Sequence, residues 1–306
     1  MPIFDLHADS LVKAYENDYS LKDSKQLQVN LEKIIKENYY CQCFAIFVND
    51  SENEPFTYYK KVVEFYNKYI ENAKINNVSK GGVFINNKVN AVLTVENACV
   101  IGNDLSKIDV LQSDGVKMVT LVWNNENNLA YSHKDAEKGL KPFGYECIEK
   151  FNELGIIVDL SHISQKGFNQ ACLHSKKPIV ASHSNSKSVC NNSRNLSDEN
   201  LRLLAENGGV VGINFYPPFI STSKSANYLE LLGFHVNQIK KVAGIDSISI
   251  GSDFDGIEKT CIIDEPNKIE ILIKYLKGKG FTSSEIDKIS YKNAIRVFQD
   301  NKIEVK

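Results

Sequence analysis

The sequence lacks the features that direct a chain into a membrane or onto nucleic acid. No window approaches the roughly 18 consecutive apolar residues that a membrane-spanning helix needs, and no basic and apolar leader opens the chain. The 36 basic and 38 acidic side chains nearly cancel, so there is no polybasic surface for nucleic acid or anionic lipid. We therefore expect a cytoplasmic protein with neither a nucleic-acid nor a membrane partner.

Several common functional motifs are also missing. No Gly-x-Gly-x-x-Gly and no Walker loop follows a candidate strand, and there is no Gly-x-Ser-x-Gly elbow. The seven cysteines are an odd number, and Cys41-Gln42-Cys43 lacks the two-residue spacer of a zinc or redox pair. The missing motifs weigh against a dinucleotide-binding fold and a serine hydrolase. The number and spacing of the cysteines predict reduced, mostly buried thiols.

Short β-rich runs alternate with helical patterns along the whole chain. The candidate strands are residues 3–7, 41–48, 91–95, 117–122, 156–160, 178–182, 209–214 and 247–251. Eight strands that alternate with helices predict parallel βαβ units, and eight is the number that closes a (β/α)8 TIM-type barrel. An open doubly wound sheet is the alternative. Because no repeat or linker interrupts the chain, we expect one catalytic domain over residues 1–306.

The segments between the strands carry helix signals. Apolar residues recur at helical spacing in residues 145–154, 232–243 and 269–276. Thr282 and Glu285 form a capping-box pattern, and Gly155, Gly244 and Gly280 stand where helices should end. Residues 123–142 and 216–228 are predicted as long loops at the carboxyl ends of strands. Loops of this length in a compact domain are usually functional.

Unusual polar residues follow several of the apolar runs, always at the same end of the predicted strand. They are His7, Asp9, Glu96, His162, His183 and Asp253. In a barrel these ends form one face, where active sites lie, so dispersed residues would converge. Imidazoles with carboxylates are the ligands that zinc prefers, and a bridging carboxylate would complete a dinuclear site. The remaining histidines (133, 174 and 235) are interpreted as loop or helix residues without a metal role.

The ordered set of motifs resembles the membrane (renal) dipeptidase family, the zinc dipeptidases of peptidase family M19. The resemblance rests on Asp-Leu-His-Ala-Asp at 5–9, Val-Glu-Asn at 95–97, and the segments 139–144, 154–164, 181–184, 189–195, 211–216 and 251–256. It spans most of the chain and is weakest in the N-terminal third outside the first motif.

The resemblance implies a metal-dependent hydrolase barrel with two Zn²⁺ ions per chain. By position, His7 and Asp9 would bind one ion, His162 and His183 the other, and Glu96 would bridge them. The implied reaction is the hydrolysis of dipeptides, including those with a C-terminal D-residue, by a metal-bridging hydroxide. Many relatives are homodimers, so a homodimer is expected.

The resemblance also implies residues that act on the substrate. Asp253 would hold the bridging water, move its proton and contact the free amino group of the dipeptide. Arg194 would bind the terminal carboxylate, and Tyr216 would line the pocket. A charged fork such as Arg194 is well suited to a carboxylate, which would explain a restriction to dipeptides.

One position departs from the family pattern. Many relatives have Leu-Thr-His after the fourth strand, where this chain has Leu121-Val122-Trp123. We predict that Trp123 binds the substrate. An indole can only stack or donate one N–H, and it cannot carry a proton or a positive charge. His133, in the same loop, is the substitute considered for that role.

Two other functions remain open on sequence grounds. Arg194 would suit a phosphate as well as a carboxylate, so another metal-dependent amidohydrolase or a phosphodiesterase on the same barrel is the first alternative. The tryptophan at position 123 makes a non-catalytic peptide-binding relative the second. A dipeptide panel and a chromogenic phosphodiester, each assayed with zinc, distinguish the three.

Overall fold

Eight parallel strands close into a barrel in the computed structural model, which describes residues 2–223, 226–258 and 261–306. Within those residues the barrel strands β1 to β8 are Phe4–Asp5, Cys41–Phe47, Asn90–Glu96, Met118–Thr120, Ile157–Asp159, Val180–Ala181, Val210–Ile213 and Ile248–Ile250. Each strand pairs in parallel with the next, and β8 pairs with β1 through Ile250 and Asp5. The predicted (β/α)8 barrel is confirmed.

Most of the predicted strands are longer than the hydrogen-bonded strands in the structure. The pattern predicts a first strand over residues 3–7, whereas the ladder of β1 ends at Asp5, and β6 is similarly short. The ladders end early because the backbone turns out of the sheet at the residues that carry the polar side chains. His162 and Asp253, just beyond β5 and β8, have φ of 71° and 62°, which ladder residues do not adopt.

Helices surround the barrel. In the described residues α1 to α13 are Ser10–Glu16, Leu31–Lys36, Pro55–Ile70, Val78–Gly81, Ser106–Ser113, Pro142–Leu154, Gln165–His174, Asp198–Glu206, Pro217–Ile220, Tyr228–Ala243, Ile269–Gly278, Ser283–Asp287 and Asn293–Asp300. Short 3-10 turns at Ala98–Ile101, Ile245–Ser247 and Pro266–Lys268, and a π-helical turn at Lys288–Lys292, complete the helical structure.

The helix signals in the sequence are confirmed at their ends. The reciprocal capping box of Thr282 and Glu285 opens α12, and Gly155 ends α6 with φ of 72°. The loop prediction for residues 216–228 is partly wrong. A proline pair starts the one-turn helix α9 there, and residues 224 and 225 lie outside the described part.

The amino-terminal end of the barrel is closed by aromatic packing. Phe4, the first residue of β1, lies 5.5 Å from Phe84 and 5.0 Å from Phe298 between ring centroids. A small parallel pair, Val83–Phe84 with Glu304–Val305, covers this end. The polar strand-end residues therefore lie at the opposite, carboxyl end.

The seven cysteines are all free, and five of them are buried. Their thiols are therefore part of the packing, as predicted. Within the described ranges, none of the helices combines the length and the apolar character that crossing a bilayer requires.

Candidate metal centre

Six polar side chains meet at the carboxyl end of the barrel. They come from the ends of β1, β3, β5, β6 and β8, and each is no more than 8% exposed: His7, Asp9, Glu96, His162, His183 and Asp253. Ionisable groups are rarely buried unless they pair or bind metal. The predicted convergence of these residues is therefore present in the fold.

The carboxylate of Glu96 lies between two groups of donor atoms. Its Oε2 is 3.4 Å from Nε2 of His7, and that nitrogen is 3.3 Å from Oδ2 of Asp9. Its Oε1 is 3.0 Å from Nε2 of His162 and 3.7 Å from Nε2 of His183. One oxygen of Glu96 thus faces each group.

The donor atoms fit metal ions better than they fit one another. Nε2 of His162 and Nε2 of His183 are only 2.9 Å apart. Nε2 of His7 and Oδ1 of Asp9 are buried without a hydrogen-bond partner in the described structure. Buried polar atoms are rarely left unpaired, and imidazole with carboxylate is a zinc-type donor set. We conclude that these residues fit a metal.

The charges at the centre are strongly coupled. Burial opposes protonation of His7, but the carboxylates of Asp9 and Glu96 outweigh it and raise the pKa of His7 well above its usual value. Burial, aided by the charge of Glu96 and opposed by that of His7, raises the pKa of Asp9 to about 7. Burial also works against the charge of Glu96, yet His7 and His162 hold the pKa of Glu96 well below its usual range.

The two histidines on the other side of Glu96 are uncharged at neutral pH. Burial, with a contribution from the cationic Arg194, lowers the pKa of His162 to about 3. Burial, with contributions from His7 and Arg194, lowers the pKa of His183 well below its usual value. A neutral imidazole is the form that binds a metal.

Left-handed backbone conformations shape the rim of the site. Asn97 (φ 81°), His162 and Asp253 follow three strands and have positive φ although none is glycine. Such conformations cost about 1 kcal/mol or more and cluster at functional sites. Asp253 is held in place by its backbone N–H, which donates to the carbonyl of His7, and by Nδ2 of Asn214, which donates to its Oδ2 at 2.9 Å.

A cleft of about 710 Å³ opens above these residues, and Arg194 lies in its wall. Arg194 is only 6% exposed. Its Nη2 donates a 3.4 Å hydrogen bond to the carbonyl of His183, and its guanidinium stacks 5.3 Å from the ring of Phe219. Its Nε is buried without a partner within the described residues. Burial lowers the pKa of Arg194 to about 10, so it remains a cation with donors free for an anion.

The aromatic residues predicted for the pocket also line this cleft. Trp123 packs edge-to-face against Phe47 with ring centroids 4.7 Å apart, and lies 6.3 Å from His162. Tyr216 packs against Phe219 at 4.9 Å. Seven of the nine predicted site residues therefore line one cavity, and the other two, His7 and His183, lie against Glu96 in its wall.

The structure brings His133, which the sequence offered only as a substitute for the family histidine, into the cleft wall. Its Nδ1 is 2.7 Å from Oγ of Ser193, and its Nε2 is 3.1 Å from Oδ1 of Asn124. Its place in a long loop after a strand end is the one signal that indicated it. The other two histidines have structural partners away from the centre: residue 174 pairs with a glutamate, and residue 235 with backbone groups.

The chain is similar in sequence to known dipeptidases. A model of the membrane dipeptidase family, peptidase family M19, matches residues 1–305. An uncharacterized dipeptidase of Schizosaccharomyces pombe is 31% identical over 226 residues, which are 71% of this chain and 54% of that protein. A dipeptidase of Claviceps purpurea is 29% identical over 247 residues, 79% of this chain and 57% of that protein. The match thus spans little more than half of these relatives.

Solved structures with the same fold are also similar. A metallopeptidase of family M19 described as dipeptidase AC has a TM-score of 0.87 at 22% identity, with 98% of each chain covered. A metallopeptidase from Rhodobacter sphaeroides, solved with a phosphinate mimic of the dipeptide L-Ala-D-Ala, has a TM-score of 0.84 at 21% identity, covering 98% of this chain and 99% of that one. At these identities the likeness supports the fold.

Proposed function

The chain belongs to the membrane dipeptidase family, peptidase family M19, and from this membership we propose that it hydrolyses dipeptides in a metal-dependent reaction. The observation that carries the proposal is the position of the Glu96 carboxylate, with one oxygen toward His7 and the other toward His162. We further propose that residues 1–306 act as one catalytic domain. The cytoplasmic location and the homodimer expected from the sequence remain predictions.

We assign the strand-end residues to two zinc ions. His7 and Asp9 would hold one ion, His162 and His183 would hold the other, and Glu96 would be shared. Metal bound by these residues would supply Lewis-acid activation of water and of the scissile carbonyl. These side chains are no more than 8% exposed at the base of the cleft, and their burial strengthens the electrostatic interactions among them.

Asp253 is the group that we propose to move the proton. Its Oδ1 lies 4.0 Å from Nε2 of His7, while the amide of Asn214 holds its Oδ2. Burial raises the pKa of Asp253, against the effect of His7, and a raised carboxyl pKa suits a general base and acid near neutral pH. The same carboxylate would contact the substrate's ammonium group.

The two ends of a dipeptide would find opposite charges in the cleft. Arg194 offers a buried guanidinium, whose Nε has no partner among the described residues, for the terminal carboxylate, and Asp253 lies by the metal centre for the amino end. Trp123 and Tyr216 frame the space between. Because the Rhodobacter sphaeroides relative was solved with a mimic of L-Ala-D-Ala, we include a C-terminal D-residue in the proposed substrate class.

A substrate panel tests the proposal. Protein stripped of metal and reloaded with Zn²⁺ is assayed on L-L and L-D dipeptides, a tripeptide, an N-acetylated dipeptide and a chromogenic phosphodiester. We expect metal-dependent cleavage of the free dipeptides and little of the others. Preferred cleavage of the N-acetyl compound or of the phosphodiester would instead indicate a different hydrolase. Tight dipeptide binding without turnover would indicate a non-catalytic relative.

A further inference from the structure

A continuous path of hydrogen bonds connects the loop that carries Arg194 to His162. Oγ of Ser193, the residue before Arg194, is 2.7 Å from Nδ1 of His133. Nε2 of His133 is 3.1 Å from Oδ1 of Asn124, and that oxygen is 3.0 Å from Nδ1 of His162. The path crosses three loops, which follow β4, β5 and β6.

Each hydrogen bond along this path can be assigned one donor and one acceptor. An amide oxygen only accepts, so both Nε2 of His133 and Nδ1 of His162 donate to Asn124. Nδ1 of His133 is then an acceptor, and the hydroxyl of Ser193 supplies its proton. The backbone N–H of His133 also donates to the carbonyl of His162 at 2.7 Å. His133 is thus fixed at three points.

The guanidinium of Arg194 needs such a support. Its own hydrogen bond to the carbonyl of His183 is long at 3.4 Å, and no carboxylate within the described ranges pairs with it at 4.0 Å or less. The position of Arg194 relative to the metal centre therefore depends on the loop around it. Ser193 ties that loop to the loop after β4 through His133, whereas Asn192 and Asn195 tie it to the backbone of Pro218 and Phe219.

Resting on the proposed function, we infer that His133 is a positioning residue: it holds the Arg194 loop at a fixed distance from His162 and so sets the affinity for a substrate carboxylate. His133 does not contact the substrate and does not serve as an acid or a base. It acts through Arg194, and its contribution is confined to ligands with a free terminal carboxylate.

The test compares His133→Phe and His133→Gln in the full-length, zinc-loaded protein, with L-Ala-L-Ala and its C-terminal amide as substrates. Phenylalanine keeps the ring but removes both hydrogen bonds, whereas glutamine can donate and accept. We expect His133→Phe to raise KM for the free acid by about three- to tenfold, as for the loss of an ordinary hydrogen bond. The kcat and the zinc content should change less than twofold, and His133→Gln should restore most of the KM.

The double variant His133→Phe with Arg194→Ala provides the control. If His133 acts through Arg194, the phenylalanine adds no further loss once the arginine is gone, and it has no effect on the amide substrate. Losses that add in the double variant, or that are equal for acid and amide, overturn the inference.

A spectroscopic readout separates this inference from the proposed function. The chain has six histidines, so ¹⁵N-imidazole spectra can be assigned by single substitutions. We expect His133 to be protonated on Nε2 only, and Ser193→Ala to shift its Nδ1 resonance. If Nδ1 of His133 carries a proton, or if its resonance does not shift in Ser193→Ala, the path of hydrogen bonds is refuted, whether or not any dipeptide is hydrolysed. Failure of turnover with the expected spectra would refute the proposed function alone.

Discussion

The hydroxyl of Ser182 donates a 2.6 Å hydrogen bond to Oδ2 of the buried Asp159. That oxygen also accepts from Thr120 at 2.6 Å. Because the hydroxyl proton of Ser182 is used in this way, its 2.8 Å contact with Nδ1 of His183 requires the imidazole to donate. The lone pair of His183 is then on Nε2, which faces Glu96. A buried carboxylate and a serine thus select the tautomer that a metal needs.

Ser182→Ala should therefore weaken metal binding. Without the hydroxyl, Nδ1 of His183 loses its acceptor, and substitutions of such supporting residues typically cost ten- to a hundredfold in metal affinity. The affinity is measured by competition with a chelator. Thr120→Val is the matched control, because it removes an equally short hydrogen bond to Asp159 without touching His183. Equal losses in the two variants would contradict the tautomer argument.

Glu96→Gln should lose metal and activity together. Glutamine has the same shape, but it is neutral, and its amide NH₂ would face one of the two donor groups that the carboxylate now serves. Metal per chain after dialysis and turnover of a dipeptide are the measurements. Glu16→Gln is the control, since Glu16 is an exposed glutamate in the same cleft. A Glu96 variant with two metals per chain and normal turnover would refute the dinuclear assignment.

Metal affinity should rise with pH between about 6 and 8. In the metal-free protein the pKa of Asp9 is raised to about 7, and that of His7 is raised well above its usual value. Both groups hold protons below these values, so an incoming metal must displace them, and each displaced proton weakens binding by about tenfold per pH unit as the pH falls. Chelator competition at several pH values measures the slope. Asp9→Asn should bind more weakly and with a shallower slope, and a pH-independent affinity in the parent would be inconsistent with these shifts.

The barrel and the convergence at its carboxyl end were predictable because eight apolar runs alternate with helical patterns, and polar residues follow several of these runs at the same end. Strand geometry does not explain how His7 and Asp9 come together. Strand alternation predicts that His7 and Asp9 point the same way, but β1 ends at Asp5, and Asp9 is the residue before helix α1. They meet because the backbone N–H of Asp9 donates to the carbonyl of Phe254, beyond β8.

The long loop after β4 was recognisable, but its contacts were not. No periodic pattern occurs in residues 123–142, and the fold of the loop depends on isolated bridges from Ala130 to Leu140 and from Ser132 to Ile163. These pairings place His133 beside Asn124. The first bridge joins two residues of the same loop and the second joins this loop to the loop after β5, and no periodic sequence pattern specifies isolated pairings of this kind.

Trp123→His should change turnover more than metal content. Trp123 packs on Phe47 and faces the cleft at 6.3 Å from the ring of His162, so histidine there would replace a bulky wall by a group that can carry a proton. The kcat and KM are measured on several dipeptides, together with zinc per chain. Trp123→Phe keeps an aromatic wall and should stay closer to the parent. An unchanged kinetic profile for Trp123→His would remove this residue from the proposed site.

Arg194→Ala should reduce catalytic efficiency only for substrates with a free carboxylate. The arginine is buried and its Nε lacks a partner in the described structure, so a bound carboxylate would complete its hydrogen bonding. A hydrogen bond to a charged group contributes about 1.5–3 kcal/mol, which corresponds to a roughly ten- to hundredfold loss of kcat/KM. Metal content should be unchanged, because Arg194 contacts the backbone of His183 and not its imidazole.

The decisive experiment measures kcat/KM of the parent and of Arg194→Ala, each on dipeptide acids and on dipeptide amides. The amides lack the carboxylate, so they should be poor substrates of the parent, and Arg194→Ala should hardly worsen them. Lys134→Ala is the matched control, since Lys134 is a second cation lining the cleft and should matter little for either substrate. If Arg194→Ala loses equally on acid and amide, the arginine supports the fold of the loop, and reading of the carboxyl terminus has to be assigned to another residue.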